Sequence, residues 1–159
     1  MDFTEKYIKM CEKAEEIQER WKPRDGDFIA RVWWNGKWYR KFVGFAKVMG
    51  GGTYIEVVPS TYSFDIEEKE RSIEKYGYRE WIWLPRQDQL QEMCAPPLDI
   101  LVVEFWQWIP HEQVAVKYTS MEQLWLAFVM WELYGKIWDD GKEEWAERSV
   151  SDEKGKDKD

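Results

Sequence analysis

Two runs rich in β-branched and aromatic residues flank Asn35-Gly36, and the residues best suited to chemistry collect there. Asn-Gly between such runs signals a hairpin, because a type I′ turn needs positive φ at both central positions. A two-residue loop at Asn35-Gly36 pairs Trp34 with Lys37, Trp33 with Trp38, Val32 with Tyr39, Arg31 with Arg40 and Ile29 with Phe42. Opposed residues share a sheet face, so Arg31, Trp33, Trp38 and Arg40 are expected side by side. Two opposed arginines repel unless an anion offsets them, and Trp faces beside them can stack a base or a guanidinium. From Phe28 to Ile55 the chain carries Arg31, Lys37, Arg40, Lys41 and Lys47 and no acid. That constellation suits a nucleotide-like small anion, a single-stranded nucleic acid or an acidic protein patch. The more ordinary reading is a solvated face on which Trp33 and Trp38 pack across the strands, with the arginines paired to acids such as Glu67, Glu68 or Glu70.

A second group is Arg86-Gln87-Asp88-Gln89. It follows a short strand pattern and opens a helical one, where free backbone N–H groups attract an anion and Arg86 and Gln89 add donors. The alternative is that Asp88 and Gln89 only cap and solvate the first turn. His111 is the only histidine, and without a sequence partner it reads as a loop residue rather than a catalyst. Asp139, Asp140, Glu143, Glu144 and Glu147 lack EF-hand spacing and read as a charged face. No Gly-rich phosphate loop, zinc spacing or nucleophile elbow is present. Gly50-Gly51-Gly52 lacks a following Lys-Ser/Thr and precedes a strand, so it marks a turn. No cofactor, no metal and no enzymatic activity are therefore expected.

The elements that position these residues follow from periodicity. Phe3, Tyr7, Cys11, Ala14, Ile17 and Trp21 recur at three- and four-residue steps, which predicts an amphipathic helix over 4–21 with Thr4 as N-cap. Pro23 ends it, and Asp25-Gly26 turns the chain. Residues 27–58 predict a three-stranded meander, reversed at Asn35-Gly36 and at Gly50-Gly51-Gly52 and stopped by Pro59. The charged stretch 60–80 reads as helix or solvated excursion. Glu80 to Leu84 reads as a short buried strand, with Pro85 at the first position of a helix running through Cys94. Leu98 to Ile109 fits strand or helix; Leu101, Phe105, Trp108 and Ile109 on one helical face favour helix, closed by Pro110. Ser120-Met121-Glu122-Gln123 is a capping-box pattern. It opens a helix to Tyr134 that is apolar nearly all round and so central, with Leu124, Ala127, Phe128 and Met130 buried and Gly135 at C′. Asp140-Gly141 is a last turn. The expected fold is α+β: an antiparallel meander sheet (about 27–58, plus a strand near 80–84) packed with an N-terminal helix and C-terminal helices. One globular domain over 1–148 and a disordered charged tail over 149–159 are expected.

Length and charge bound the function. The chain has 159 residues, 44% hydrophobic and 17% aromatic with 12 Trp, too apolar for intrinsic disorder. Lys plus Arg number 23 against 31 Asp plus Glu, a net charge of −8, which disfavours duplex DNA, bound mainly through cations on phosphate. The charge-free apolar stretch Leu124 to Trp131 is far short of the about 20 residues a membrane span needs, and Met1-Asp2-Phe3-Thr4-Glu5-Lys6 is not a signal-peptide pattern. Cys11 and Cys94 form no CxxC pair. They read as two thiols of a cytosolic protein, with a disulfide between them as the alternative.

Three segments, Trp21-Lys22-Pro23-Arg24-Asp25-Gly26-Asp27, then Trp83-Leu84-Pro85-Arg86-Gln87-Asp88-Gln89-Leu90-Gln91, then Ser120-Met121-Glu122-Gln123-Leu124-Trp125-Leu126-Ala127-Phe128-Val129-Met130, together resemble small uncharacterised proteins encoded by phages and prophages of Firmicutes. Residues 28–80 lie outside the resemblance. It implies a bacterial host cytoplasm and an accessory role exerted by binding host proteins or host-made signals. Beside it stands the residue-level expectation of a compact interface with aromatic anchors. The leading expectation is thus a non-enzymatic protein that binds a macromolecular partner, a host protein, in an inhibitor or anti-defence role. The alternative is a small-ligand binder holding a nucleotide-like anion on the Arg31/Trp33/Trp38/Arg40 face.

Overall fold

The computed structural model describes residues 1–34, 39–49, 54–59, 81–94, 97–112 and 117–148. The fold is α+β, and the chain divides into two compact units, Phe3–Arg86 and Met1–Asp2 with Gln87–Asp159. The expectations for Trp38, for Asn35-Gly36 and Gly50-Gly51-Gly52 as turns, for 60–80 with Glu67, Glu68 and Glu70, and for the tail 149–159 lie outside the described residues.

The first unit begins with two helices where one was expected: α1 (Glu5–Lys13) and α2 (Glu15–Arg20). Thr4 caps α1, its hydroxyl accepting from the Tyr7 N–H at 3.3 Å. The break is at Ala14, with φ −87° and ψ 68°. Its N–H closes tightly on the Cys11 carbonyl at 3.1 Å, and its own carbonyl starts the next turn by accepting from Ile17 and Gln18. A tertiary bond supports the break: the Gln18 Nε2 also donates to the Cys11 carbonyl at 3.1 Å. The apolar stripe survives it, with Tyr7, Cys11, Ala14, Ile17 and Trp21 buried and Phe3 half-buried against the Phe28 ring.

The sheet consists of β1 (Phe28–Trp34), β2 (Tyr39–Met49), β3 (Tyr54–Pro59) and β4 (Ile82–Leu84), in the order β3-β2-β1-β4 with every pair antiparallel. This is the expected meander joined by the expected fourth strand. Its register differs. Trp34 pairs with Tyr39, Trp33 with Arg40 and Arg31 with Phe42, a two-residue shift from the pairing that Asn35-Gly36 implied. The cause lies at the other end of the strands. The Gly26 N–H donates to the Ala46 carbonyl at 2.9 Å and the Ala46 N–H to the Asp27 carbonyl at 2.8 Å. The Val48 N–H donates to Asp25 Oδ1 at 2.6 Å. These bonds pin β2 against the turn before β1, where Gly26 adopts the φ of +85° that disfavours a side chain.

The segment Trp21 to Asp27 is thus a structural clasp. Buried Asp27 accepts from the Trp21 indole N–H and the Arg24 N–H, both at 2.9 Å. Trp21 stacks on Trp83 of β4, with ring centroids 6.1 Å apart and planes within 6°. Tyr7 Oη donates to the Pro85 carbonyl at 2.5 Å. Pro85 precedes the next helix instead of opening it.

The second unit holds α3 (Gln87–Cys94), α4 (Leu98–Trp108), a 3-10 turn (Ile109–Glu112), α5 (Met121–Tyr134) and a hairpin of β5 (Lys136–Asp139) and β6 (Glu144–Glu147). The stretch from Leu98 is helical and its α-helix ends at Trp108, ahead of Pro110 as expected, with the chain continuing through Pro110 as a 3-10 turn. α5 has the expected bounds. The Ser120 Oγ accepts from the Gln123 N–H at 3.1 Å, and Gly135 ends the helix with φ +63°. The reciprocal half of the capping box is redirected. The Gln123 carboxamide accepts from the Thr119 N–H and donates to buried Asp2 at 2.7 Å, and Asp2 also accepts from the Ser120 hydroxyl. Ala127, Phe128 and Met130 are buried, while Leu124 is half-buried. Cys11 is buried and Cys94 half-buried, and they are not joined by a disulfide.

Candidate functional site

α4 presents two apolar faces. Pro97 precedes it and supplies the carbonyl that accepts from the Leu101 N–H at 3.0 Å. Asp99 suits the first turn, where the helix dipole favours an acid. Leu101, Phe105 and Trp108 form the inner face. Phe105 lies on Trp125 with centroids 4.0 Å apart and planes within 5°, and meets Phe128 edge-on at 5.3 Å. Trp108 meets Phe128 edge-on at 5.4 Å.

The outer face is what an ordinary surface helix does not have. Leu98 is 68% exposed, Val102 53% and Trp106 72%, at four-residue steps along one ridge, and Val103 (54%) and Ile100 (46%) extend it. At 3.6 residues per turn, Asp99 sits among them, one turn from Val102 and Val103 and two from Trp106. These side chains expose an area on the order of 500 Å², within the roughly 300–600 Å² of the largest patch on a typical monomer, which is often functional.

The charged side chains that α3, α4 and α5 themselves carry have one sign, although the Met1 amino group pairs with Glu122 at 3.0 Å. From Gln87 to Glu112 the sequence carries Asp88, Glu92, Asp99, Glu104 and Glu112 and no Lys or Arg, and α5 adds Glu122 and Glu132 with no cation. Such a face offers no nucleophile. What it can do is bury apolar area, at about 1.5–3 kcal/mol for each large side chain fully covered.

A shallow depression of ~470 Å³ lies on the β5–β6 hairpin, lined by Lys117, Ile137, Trp138, Asp139, Asp140 and their neighbours. Lys117 Nζ donates to the Trp138 carbonyl, and the Trp138 indole N–H donates to Asp140 Oδ1 at 3.0 Å. Its polar groups thus bond one another. Among the described residues no cluster of three His, Cys, Asp or Glu could hold a metal ion, and no helix is long and apolar enough to cross a membrane.

The residues singled out from the sequence are placed as follows. Arg31 is half-buried, and its guanidinium lies 5.7 Å from the centroid of the Trp81 ring. β1 pairs with β4 through Ala30 and Ile82, so Trp81 falls one step beyond the last pair, level with Arg31. Trp33 and Arg40 are register partners, and strand alternation puts positions 31, 33, 40 and 42 on one face. Arg31 and Arg40 are therefore diagonal neighbours, not opposed. Arg86 is half-buried in the link after β4, while Gln89 is buried within α3. His111 falls in the 3-10 turn.

Two features escaped the sequence reading. One is the β5–β6 hairpin, signalled only by Asp140-Gly141 between Ile137-Trp138 and Trp145-Ala146. The other is the outer face of α4, whose signal was the set of apolar residues at 98, 100, 102, 103 and 106 that the inner face does not use. Comparison with protein-family models, curated proteins and solved structures found no match.

Proposed function

We propose that this is a non-enzymatic binding protein, an accessory protein of phage or prophage origin that works in the bacterial host cytoplasm by docking on a host protein through the outer face of α4. The observation that carries this is the exposed ridge Leu98, Val102 and Trp106 on a helix whose other face is fully committed to the core. A large exposed aromatic among aliphatic side chains is the composition of an interface centre. The resemblance of three segments to phage and prophage proteins supports the accessory role. A photo-cross-linking amino acid at position 103, in cells expressing the full chain, is expected to yield a discrete adduct with a second protein that Trp106→Ala abolishes. Adducts unchanged by Trp106→Ala, or none at all, would remove α4 as the docking face. The second reading, a nucleotide-like anion on the Arg31/Arg40 face, rests on the acid-free run of cations from Phe28 to Ile55. Under it, Arg31→Ala and Arg40→Ala each weaken nucleotide binding about tenfold or more in a titration, added salt weakens the wild type, and equal binding by all three proteins ends it.

A further inference from the structure

We infer that the occupant of the α4 face is a cationic amphipathic polypeptide segment, one that lays an apolar ridge on Leu98, Val102 and Trp106 and sets a Lys or Arg against Asp99. This rests on the reading of α4 as a protein-docking face and adds the chemistry of what docks. Asp99 carries the inference. It is an exposed carboxylate inside the apolar arc, with Val102, Val103 and Trp106 within two turns of it. Covering that arc takes Asp99 out of water, and a carboxylate buried without a partner is strongly unfavourable. Whatever covers the face must satisfy that carboxylate, and a Lys or Arg does so while also offsetting its charge. No cation lies in α3, α4 or α5 to do so from within.

The same charges argue against the other occupants. A second copy would bring one acidic helical layer against another, in a chain of net charge −8. An anionic membrane surface is bound by helices with Lys and Arg on the polar face, which α4 lacks. A nucleic acid needs cations for its phosphates. A partner helix with apolar anchors at i, i+3, i+4 and i+7 and a basic rim satisfies both the ridge and Asp99.

The test uses the full chain and two fluorescein-labelled helical peptides of about five turns, roughly 18 residues, one of Leu and Lys and the other of Leu and Glu in the same pattern. Fluorescence anisotropy should show binding of the Leu/Lys peptide and not of the Leu/Glu peptide. Trp106→Ala and Asp99→Asn should each weaken it about tenfold, one step of affinity arithmetic. Glu12→Gln, an exposed acid on α1, should leave it unchanged. Asp99→Lys should shift preference toward the Leu/Glu peptide. Because positions 99 and 106 are exposed, circular dichroism of these variants should match wild type. The inference is overturned if neither peptide binds, if both bind alike, or if Glu12→Gln weakens binding as much as Asp99→Asn, which would mean net charge alone is read. Sedimentation equilibrium is expected to show a monomer; a dimer dispersed by Trp106→Ala would overturn it in favour of a second copy. If the peptides fail while the position-103 cross-link to another protein persists, docking at α4 stands and only the cationic partner falls. Loss of the cross-link as well removes the docking face itself.

Discussion

α4 and α5 are both rich in large apolar residues, and they meet in one aromatic cluster, yet they spend those residues differently. α5 is apolar almost all round, and the run from Trp125 to Met130 is buried without interruption. α4 buries Leu101, Phe105 and Trp108 and leaves five large apolar side chains in water. The contrast shows that apolar content alone does not assign a helix to the core. The neighbours decide: α5 meets α3, α4 and the chain leading into β5, whereas α4 meets core on one side only. Exposed apolar area of that kind gains little from folding, and patches of this size are often functional.

Several substitutions probe this contrast. Phe128 is fully buried and touches Phe105, Trp108, Trp125 and Trp131. Phe128→Ala should destabilise by about 3–5 kcal/mol in urea denaturation, and a change below about 1 kcal/mol would mean α5 is not the centre of its unit. Asp27→Ala comes next, because it strands the buried Trp21 indole N–H and the Arg24 N–H. A loss of roughly 2–3 kcal/mol is expected, and Asp27→Asn should recover part of it through the carboxamide oxygen. Ser120→Ala removes the cap of α5 and should lower the unfolding free energy measured in the same way by about 1 kcal/mol; no change would show that Asp2 and Gln123 hold that turn alone. Smallest of all, Trp106→Ala should stay within about 0.5 kcal/mol of wild type. A large loss there would make α4 a two-sided core helix like α5 and end the contrast.

Much of the fold was readable because local chemistry and global packing agree. Thr4, Ser120 and Gly135 mark helix ends as expected, and the three strands of the meander follow from their β-branched and aromatic pattern. The misses have a common cause in distant partners. The β1–β2 register lies two residues from the one a loop at Asn35-Gly36 implied, and the bonds at Asp25, Gly26 and Asp27, outside the hairpin, hold it. The α1–α2 break depends on Gln18, whose carboxamide is held by Trp83, 65 residues away. β5 and β6 have four residues each, too few for alternation to stand out. At the candidate site the reading of Leu98 to Ile109 found the inner face and stopped. The outer face was in the same letters, but it stands out only once the burial of its neighbours is known.

Gln18 has one more consequence. Among the described residues β4 is an outer strand of its sheet, and its central residue turns its backbone groups away from β1. The Trp83 N–H donates to Gln18 Oε1 at 2.8 Å, and the Gln18 Nε2 donates to the Trp83 carbonyl at 3.0 Å. A single side-chain amide thus occupies the place where a fifth strand would pair. Open strand edges template aggregation between molecules, so this carboxamide acts as a plug against self-association through the sheet. Gln18→Ala should leave the edge unguarded, and light scattering at high protein concentration should rise with time where the wild type stays clear.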